Sequence, residues 1–99
     1  MDYTVLDIPT RVDHENLHQT RAILEQGLAG ASPMVILNFA GCDYMDSSGL
    51  GLLVHTAGTG EKDVRLVDVQ PRVRTILKLT RVDQILRIFS SMDSALAGA

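Results

Sequence analysis

The most constraining feature of this chain is a short, nearly continuous apolar run at residues 34–39, directly after Pro33. Such a run is typical of a strand that is covered on both faces. Strands of this kind occur in the middle of parallel sheets, because the helical crossovers cover both sides of the sheet. The run therefore predicts a central strand with helices packed against its sheet.

Strand and helix signals alternate on both sides of that run. Asp13 stands where the N-cap of a first helix would stand, and Pro71 suits the first position of a later one. The segment through Cys42 and Tyr44 is interpreted as a loop. In chain order we predict a strand at 3–8, a helix over 15–29, a strand at 34–39, a helix from 47 that glycines 58 and 60 stop, a strand at 64–68, a helix over 71–80, a strand at 85–89 and a helix that ends near 97.

This order predicts an α/β fold: a small, mostly parallel sheet of about four strands packed with about four helices. The chain has 99 residues, of which 45% are hydrophobic and 21% are charged, as is ordinary for globular proteins. A chain of this size builds one modest hydrophobic core. We expect a single domain over residues 1–99.

Charge and hydropathy exclude several functional classes. The net charge is -3 and the chain has no cluster of Lys and Arg, so binding to nucleic acid is not expected. No apolar run approaches the length that spans a bilayer, and the first residues lack the pattern of a secretion signal. We expect a cytoplasmic protein that does not insert into membranes. Cys42 is alone and is expected to be a small buried residue.

One zinc-binding pattern occurs in the chain. Residues from His14 to His18 match H-E-x-x-H, which on a helix places two imidazoles on one face. Here the pattern lies at the first turn of the predicted helix, where the dipole disfavours a cation, and no third ligand follows at the usual spacing. We interpret both histidines as surface residues and expect neither a metal site nor a cofactor.

The segment that can carry chemistry is Asp46-Ser47-Ser48-Gly49, which follows a buried strand and opens a helix. Hydroxyls and backbone N–H groups at a helix N-terminus favour anions, so Ser47 could carry a phosphoryl group without unfolding its domain. An alternative stays open, in which Asp46 and Ser47 only cap the helix and the glycines allow it to pack closely.

A family resemblance supports the first interpretation. The segment MDSSGLG at residues 45–51, after a strand VILN at 35–38, resembles the signature of the STAS domain. That domain is found in anti-sigma factor antagonists and in the tails of anion transporters. The flanking segments DH at 13–14, RLV at 65–67, PRV at 71–73 and SAL at 94–96 also fall where the family has similar residues.

The resemblance implies a partner-switching regulator and not an enzyme. In the family, the serine directly after the motif aspartate, here Ser47, is phosphorylated by a kinase that is itself the anti-sigma factor. The unphosphorylated form would bind this kinase and release sigma, and a serine phosphatase would reset the switch. Asp46 would orient the acceptor hydroxyl, and Asp13 would help to dock the partner together with Asp46, Ser47, Ser48 and Gly49.

The chain departs from the family pattern near its N-terminus. The family usually has two strands before the first helix, whereas the stretch before Asp13 is long enough for only one. A missing strand would leave a sheet edge exposed, which favours a homodimer. An alternative function with the same fold is a STAS subunit of a membrane transporter or of a stress-signalling scaffold.

Overall fold

The structure, a computed structural model, describes residues 2–58 and 61–97. From the first helix onward, the four helices and the strands of the main sheet alternate as predicted, and β4 is an additional short strand. The elements are β1 (Tyr3–Asp7), β2 (Arg11–Val12), α1 (Leu17–Ala29), β3 (Met34–Asn38), β4 (Tyr44–Met45), α2 (Ser47–Ala57), β5 (Asp63–Val67), α3 (Pro71–Leu79), a 3-10 turn (Val82–Gln84), β6 (Arg87–Phe89) and α4 (Met92–Ala97).

Four parallel strands form the main sheet in the order β1-β3-β5-β6. The apolar run at residues 34–39 provides β3, which lies between β1 and β5 with Val35, Ile36 and Leu37 fully buried. A strand that is covered on both faces has apolar residues at nearly every position, so apolar and polar residues do not alternate along this run. The predicted α/β class, with about four strands and four helices, is confirmed.

The two faces of the sheet are covered unequally. One face carries α1, α2 and α3, and the other face carries α4 alone, packed on Met34 and Ile36 of β3. Alternation of side chains along β3 therefore divides the interior into two cores. The helices contribute to the larger core through Leu24, Leu52, Leu53, Val73 and Leu77.

A second, two-stranded sheet corrects the prediction for the N-terminal part of the chain. β2 and β4 pair in parallel, with Arg11 beside Tyr44 and Val12 beside Met45. The Asp46 N–H donates to the Val12 carbonyl at 3.1 Å and extends this pairing. The predictions of one strand before the first helix and of a loop through Tyr44 were both wrong. Strands of two residues are too short to show any periodicity.

Several predicted boundaries also change by a few residues. The first helix begins at Leu17 after the N-cap Asn16, instead of at residue 15 after Asp13. The last strand is limited to Arg87–Phe89, because the preceding residues form a 3-10 turn and Ile85 is 58% exposed. The strand predicted at 64–68 ends at Val67, since Asp68 takes a left-handed backbone conformation. Gly58 ends α2 as predicted, and the second predicted stop, Gly60, lies outside the described residues.

Cys42 is buried, as the sequence predicted. Its Sγ lies 3.5 Å from the Tyr44 carbonyl oxygen. Burial raises the pKa of the Cys42 thiol, so the protonated form is favoured. The residue therefore packs as a small apolar side chain beside β4.

An ion-pair cluster joins α4 to the sheet. Arg65 is buried, and its Nη2 lies 2.7 Å from Asp63 Oδ2 while its Nη1 donates to the Ala95 carbonyl of α4. Arg87 binds the other oxygen of Asp63 at 2.9 Å, and both guanidinium groups lie over the Phe89 ring. Hydrogen bonds from Arg65 are the main cause that lowers the pKa of Asp63 below its ordinary value.

This cluster predicts an acid-sensitive contribution to stability. Because the folded-state pKa of Asp63 lies below its ordinary value of 3.8, its contribution is complete above that value and is lost as the pH falls through the folded-state pKa. We expect Asp63→Asn to lower the free energy of unfolding by about 1–3 kcal/mol at neutral pH, since Arg65 loses its counter-charge. The difference from wild type should shrink at acid pH.

Urea denaturation of both proteins at neutral pH and near pH ~3 measures this difference. Asp68→Asn is the matched control, because Asp68 is exposed and asparagine adopts its left-handed backbone readily. An equal loss for Asp63→Asn at both pH values would contradict the assignment of the effect to the carboxylate charge.

Candidate functional site

The N-terminus of α2 is built on Asp46. This residue is the N-cap of the helix, with extended backbone, and its Oδ1 accepts a hydrogen bond from the Gly49 N–H at 3.0 Å. Its own carbonyl accepts the first intrahelical bond, from the Leu50 N–H. The helix start predicted at the serine pair is confirmed, and the cap is the aspartate before it.

The second oxygen of Asp46 reaches another part of the chain. Asp46 Oδ2 accepts from the backbone N–H of His14 at 3.1 Å, and His14 Nδ1 lies 3.4 Å from the same oxygen. The hydrogen bond from the Gly49 N–H is the main cause that lowers the pKa of Asp46, and the bonds from His14 and Ser48 add to it. Asp46 is therefore ionised at neutral pH and joins the turn before α1 to the first turn of α2.

Gly49 allows the first turn of α2 to lie against the small sheet. A Cβ at this position would lie 2.6 Å from both the Val12 carbonyl oxygen and Val12 Cγ1, and 3.1 Å from Met45 Cγ. One of these atoms is backbone, which cannot rotate away. The close packing therefore requires glycine at this position.

The two serines differ in exposure. Ser47 is the first residue of α2 and is exposed, whereas Ser48 is half-buried. The structure thus brings Asp46, Ser47, Ser48 and Gly49 together in one helix turn, in which Ser47 is the more exposed serine. Phosphorylation of Ser47 in preference to Ser48 stays a prediction.

Asp13 has a structural role beside this turn. It is buried, and its Oδ1 accepts from the backbone N–H groups of Glu15 and Asn16 at 3.0 and 3.2 Å. Its Oδ2 lies 3.2 Å from Arg11 Nε. Asp13 therefore caps the turn before α1, the same turn in which His14 contacts Asp46. A direct contact between Asp13 and a partner stays a prediction.

The H-E-x-x-H residues do not form the geometry of a zinc site. His14 lies in the turn before α1 and His18 in its first turn, so the two imidazoles are not one helical turn apart on a shared helix face. Within residues 2–58 and 61–97, no group of three or more His, Cys, Asp or Glu side chains could hold a metal ion. Both histidines are exposed, as interpreted from the sequence.

The contacts of His14 and Val12 at the site were not predicted from the sequence. The contact from His14 to Asp46 spans 32 residues, so no local pattern reports it. Val12 is buried and lies directly against Gly49. The pairing of β2 with β4 places it beside the start of α2. The one available signal was the resemblance of the segment DH at 13–14 to the family.

A glycine pair tests the packing of the site. We expect Gly49→Ala to lower the free energy of unfolding by about 1–3 kcal/mol, because the new methyl group overlaps the Val12 carbonyl. Gly51→Ala is the matched control, since nothing lies within 4 Å of its Cβ and alanine favours the helix by up to about 1 kcal/mol. Chemical denaturation measures both, and equal effects of the two substitutions would contradict the close contact.

No helix in the described part of the chain is long and apolar enough to cross a membrane.

Solved structures share this fold. An anti-sigma factor antagonist from Mycobacterium paratuberculosis is similar with a TM-score of 0.85 and 20% identity, over 95% of this chain and 82% of that chain. A sulfate transporter family protein from Wolinella succinogenes gives 0.77 and 18%, over 96% of this chain and 82% of that one. The Bacillus cell fate determinant SpoIIAA in its phosphorylated form gives 0.66 and 21%, over 100% of this chain and 94% of that one.

The family itself follows from the sequence match. The profile of the STAS domain matches residues 2–95, which includes every strand of the sheet and the whole N-terminal turn of α2. The solved structures agree with that assignment in fold. This chain belongs to the STAS domain family.

Proposed function

We propose that this STAS domain, a single domain over residues 1–99, is an anti-sigma factor antagonist: a regulator and not an enzyme. The observation that carries the proposal is the exposed Ser47 hydroxyl at the N-terminus of α2, directly after the ionised Asp46. In the unphosphorylated form the chain binds an anti-sigma factor that is also a serine kinase, and sigma is released. Similarity to an anti-sigma factor antagonist supports this proposal.

Two larger side chains, Tyr44 and His14, are exposed on segments next to Asp46 and Ser47. Tyr44 on β4 is 44% exposed and lies two residues before Asp46. His14 is exposed beside the same carboxylate, and Ser48 is half-buried. Exposed tyrosines are frequent anchors in protein interfaces, because they bury a large apolar ring and keep a polar tip. We call His14, Tyr44, Ser47 and Ser48 the α2 docking surface.

Phosphorylation acts on the partner and leaves the domain folded. A phosphoryl group adds about -1.5 to -2 charges at neutral pH. The negatively charged Asp46 carboxylate already accepts the hydrogen bond from the Gly49 N–H. A phosphate on Ser47 would have to compete with this carboxylate for the backbone N–H groups of the turn, and the two negative charges repel each other. The new charge therefore stays at the surface, where repulsion and the cost of desolvation oppose docking.

The chemistry of the switch belongs to the partners. The kinase transfers the γ-phosphoryl group of its own ATP to Ser47 Oγ and takes up the hydroxyl proton, and a serine phosphatase hydrolyses the ester. Asp46 fixes the turn that presents the hydroxyl, since both of its oxygens accept hydrogen bonds from the chain. The chain needs no cofactor for this role, and a partner that uses ATP places the switch in the cytoplasm.

A second candidate is a STAS subunit of a membrane transporter or of a stress-signalling scaffold. The similarity to a sulfate transporter family protein favours the transporter form of this alternative. Both candidates use the same fold, and they differ in whether Ser47 accepts phosphate from a kinase.

Phosphorylation by the anti-sigma factor kinase that this proposal requires tests the proposal, with candidate kinases sought among the genes that neighbour the gene of this chain. We expect the kinase and ATP to add one phosphate on Ser47, mapped by mass spectrometry, and to add none to Ser47→Ala. Ser48→Ala is the matched control and should still be phosphorylated. Phosphorylation should weaken kinase binding about a hundredfold, equivalent to about 2.7 kcal/mol. An active kinase that leaves Ser47 unmodified would contradict the proposal and favour the second candidate.

A further inference from the structure

The strand β1 lies at one edge of the main sheet. In the described part of the chain, β3 pairs with one side of β1 and no strand pairs with the other. The second strand before α1 does not cover this edge, because β2 pairs with β4 in the separate sheet. An exposed sheet edge was predicted because a strand was expected to be missing. The edge is present although the second strand exists, because that strand pairs elsewhere.

Alternate residues of β1 present their backbone groups outward. The Ile8 N–H donates to the Asn38 carbonyl at 3.0 Å, so the residues that share its side of the strand face β3. The N–H and C=O groups of Tyr3, Val5 and Asp7 consequently point away from the sheet. Their side chains lie on the α4 face, where Tyr3 is 39% and Val5 is 42% exposed.

The opposite edge of the sheet has features that discourage pairing with another strand, and the β1 edge lacks them. The strand β6 has 3 residues and carries Arg87, and short length and positive charge both discourage edge pairing. The strand β1 has 5 residues, with neither a basic residue nor a proline among them. An edge of this kind is a template for another strand.

We propose that β1 pairs in antiparallel fashion with β1 of a second copy, around a twofold axis at Val5. In this register Val5 faces Val5, and Tyr3 faces Asp7 in both directions. All three outward residues then form hydrogen-bonded pairs that exchange both backbone bonds. The main sheet thereby continues from one copy into the other, and the exposed Tyr3 and Val5 side chains of both copies adjoin.

The charges of the strand are compatible with a second copy and favour the antiparallel direction over the parallel one. Asp7 at one end meets Tyr3, and Asp2 just before the strand meets Ile8, so no like charges face each other. Parallel pairing of two copies in register would instead place Asp7 opposite Asp7, which is destabilising. The matching surface on both copies is the condition for a closed twofold dimer.

The expected dimer is weak. Pairing of two short edges buries less than the roughly 800 Å² per partner of a standard stable complex. Association should therefore depend on concentration, with a monomer at low micromolar concentration and a dimer toward the millimolar range. The α2 docking surface takes no part in this pairing, so the inference is independent of the proposed function.

Sedimentation velocity over that concentration range tests the inference. Val5→Pro removes an outward N–H, while the ladder of β1 with β3 keeps its bonds, since proline is tolerated where the N–H faces solvent. Val5→Lys places two positive charges opposite each other at the axis. Both substitutions should raise the dissociation constant of the dimer at least about tenfold.

Leu79→Lys is the matched control, because Leu79 is 79% exposed on α3 and the substitution adds the same charge away from the edge. It should dimerise as the wild type does. If Val5→Pro fails to fold by circular dichroism, Val5→Lys decides, since Val5 is 42% exposed and a lysine there can extend its amine into solvent. A wild type that stays monomeric at millimolar concentration, or a folded Val5 variant that dimerises like the wild type, would overturn the inference.

Discussion

The carboxylate of Asp46 holds together the two segments that form the candidate site. One of its oxygens caps α2 through the Gly49 N–H, and the other accepts the His14 N–H from the turn before α1. The bare Cα of Gly49 completes this arrangement, because it lets the helix turn rest on Val12. Ser47 is exposed in this turn, between the half-buried Asp46 and Ser48.

The sheet and its helices were predictable because their signals are local and long enough to repeat. The run that forms β3, the serines that open α2 and the proline that opens α3 each act within their own element. The remainder depends on contacts between distant segments. The two-residue strands β2 and β4 exist only as a pair. The Asp13 carboxylate accepts the backbone N–H groups of Glu15 and Asn16, so Asp13 caps a turn and the helix begins after it. The Ser47 assignment came from family resemblance, since a cap and a phosphorylation site look alike in sequence.

The unequal cover of the sheet gives the domain two distinct surfaces. Three helices bury one face, and the small sheet places the N-terminus of α2 at the surface. The other face has only α4, fixed by the buried Arg65, so β1 retains exposed apolar side chains there. Switching at one surface and self-pairing at the other can therefore occur together, because they use different strands.

The central claim is that phosphate on Ser47 changes the partner surface without unfolding α2. Amide hydrogen exchange of the chain with phosphoserine at position 47, compared with the unmodified chain, tests it most directly. We predict that the Gly49 amide keeps its protection, because its bond to Asp46 survives, while affinity for the kinase falls. Loss of protection through the first turns of α2 would contradict the claim and would show that phosphorylation acts by local unfolding.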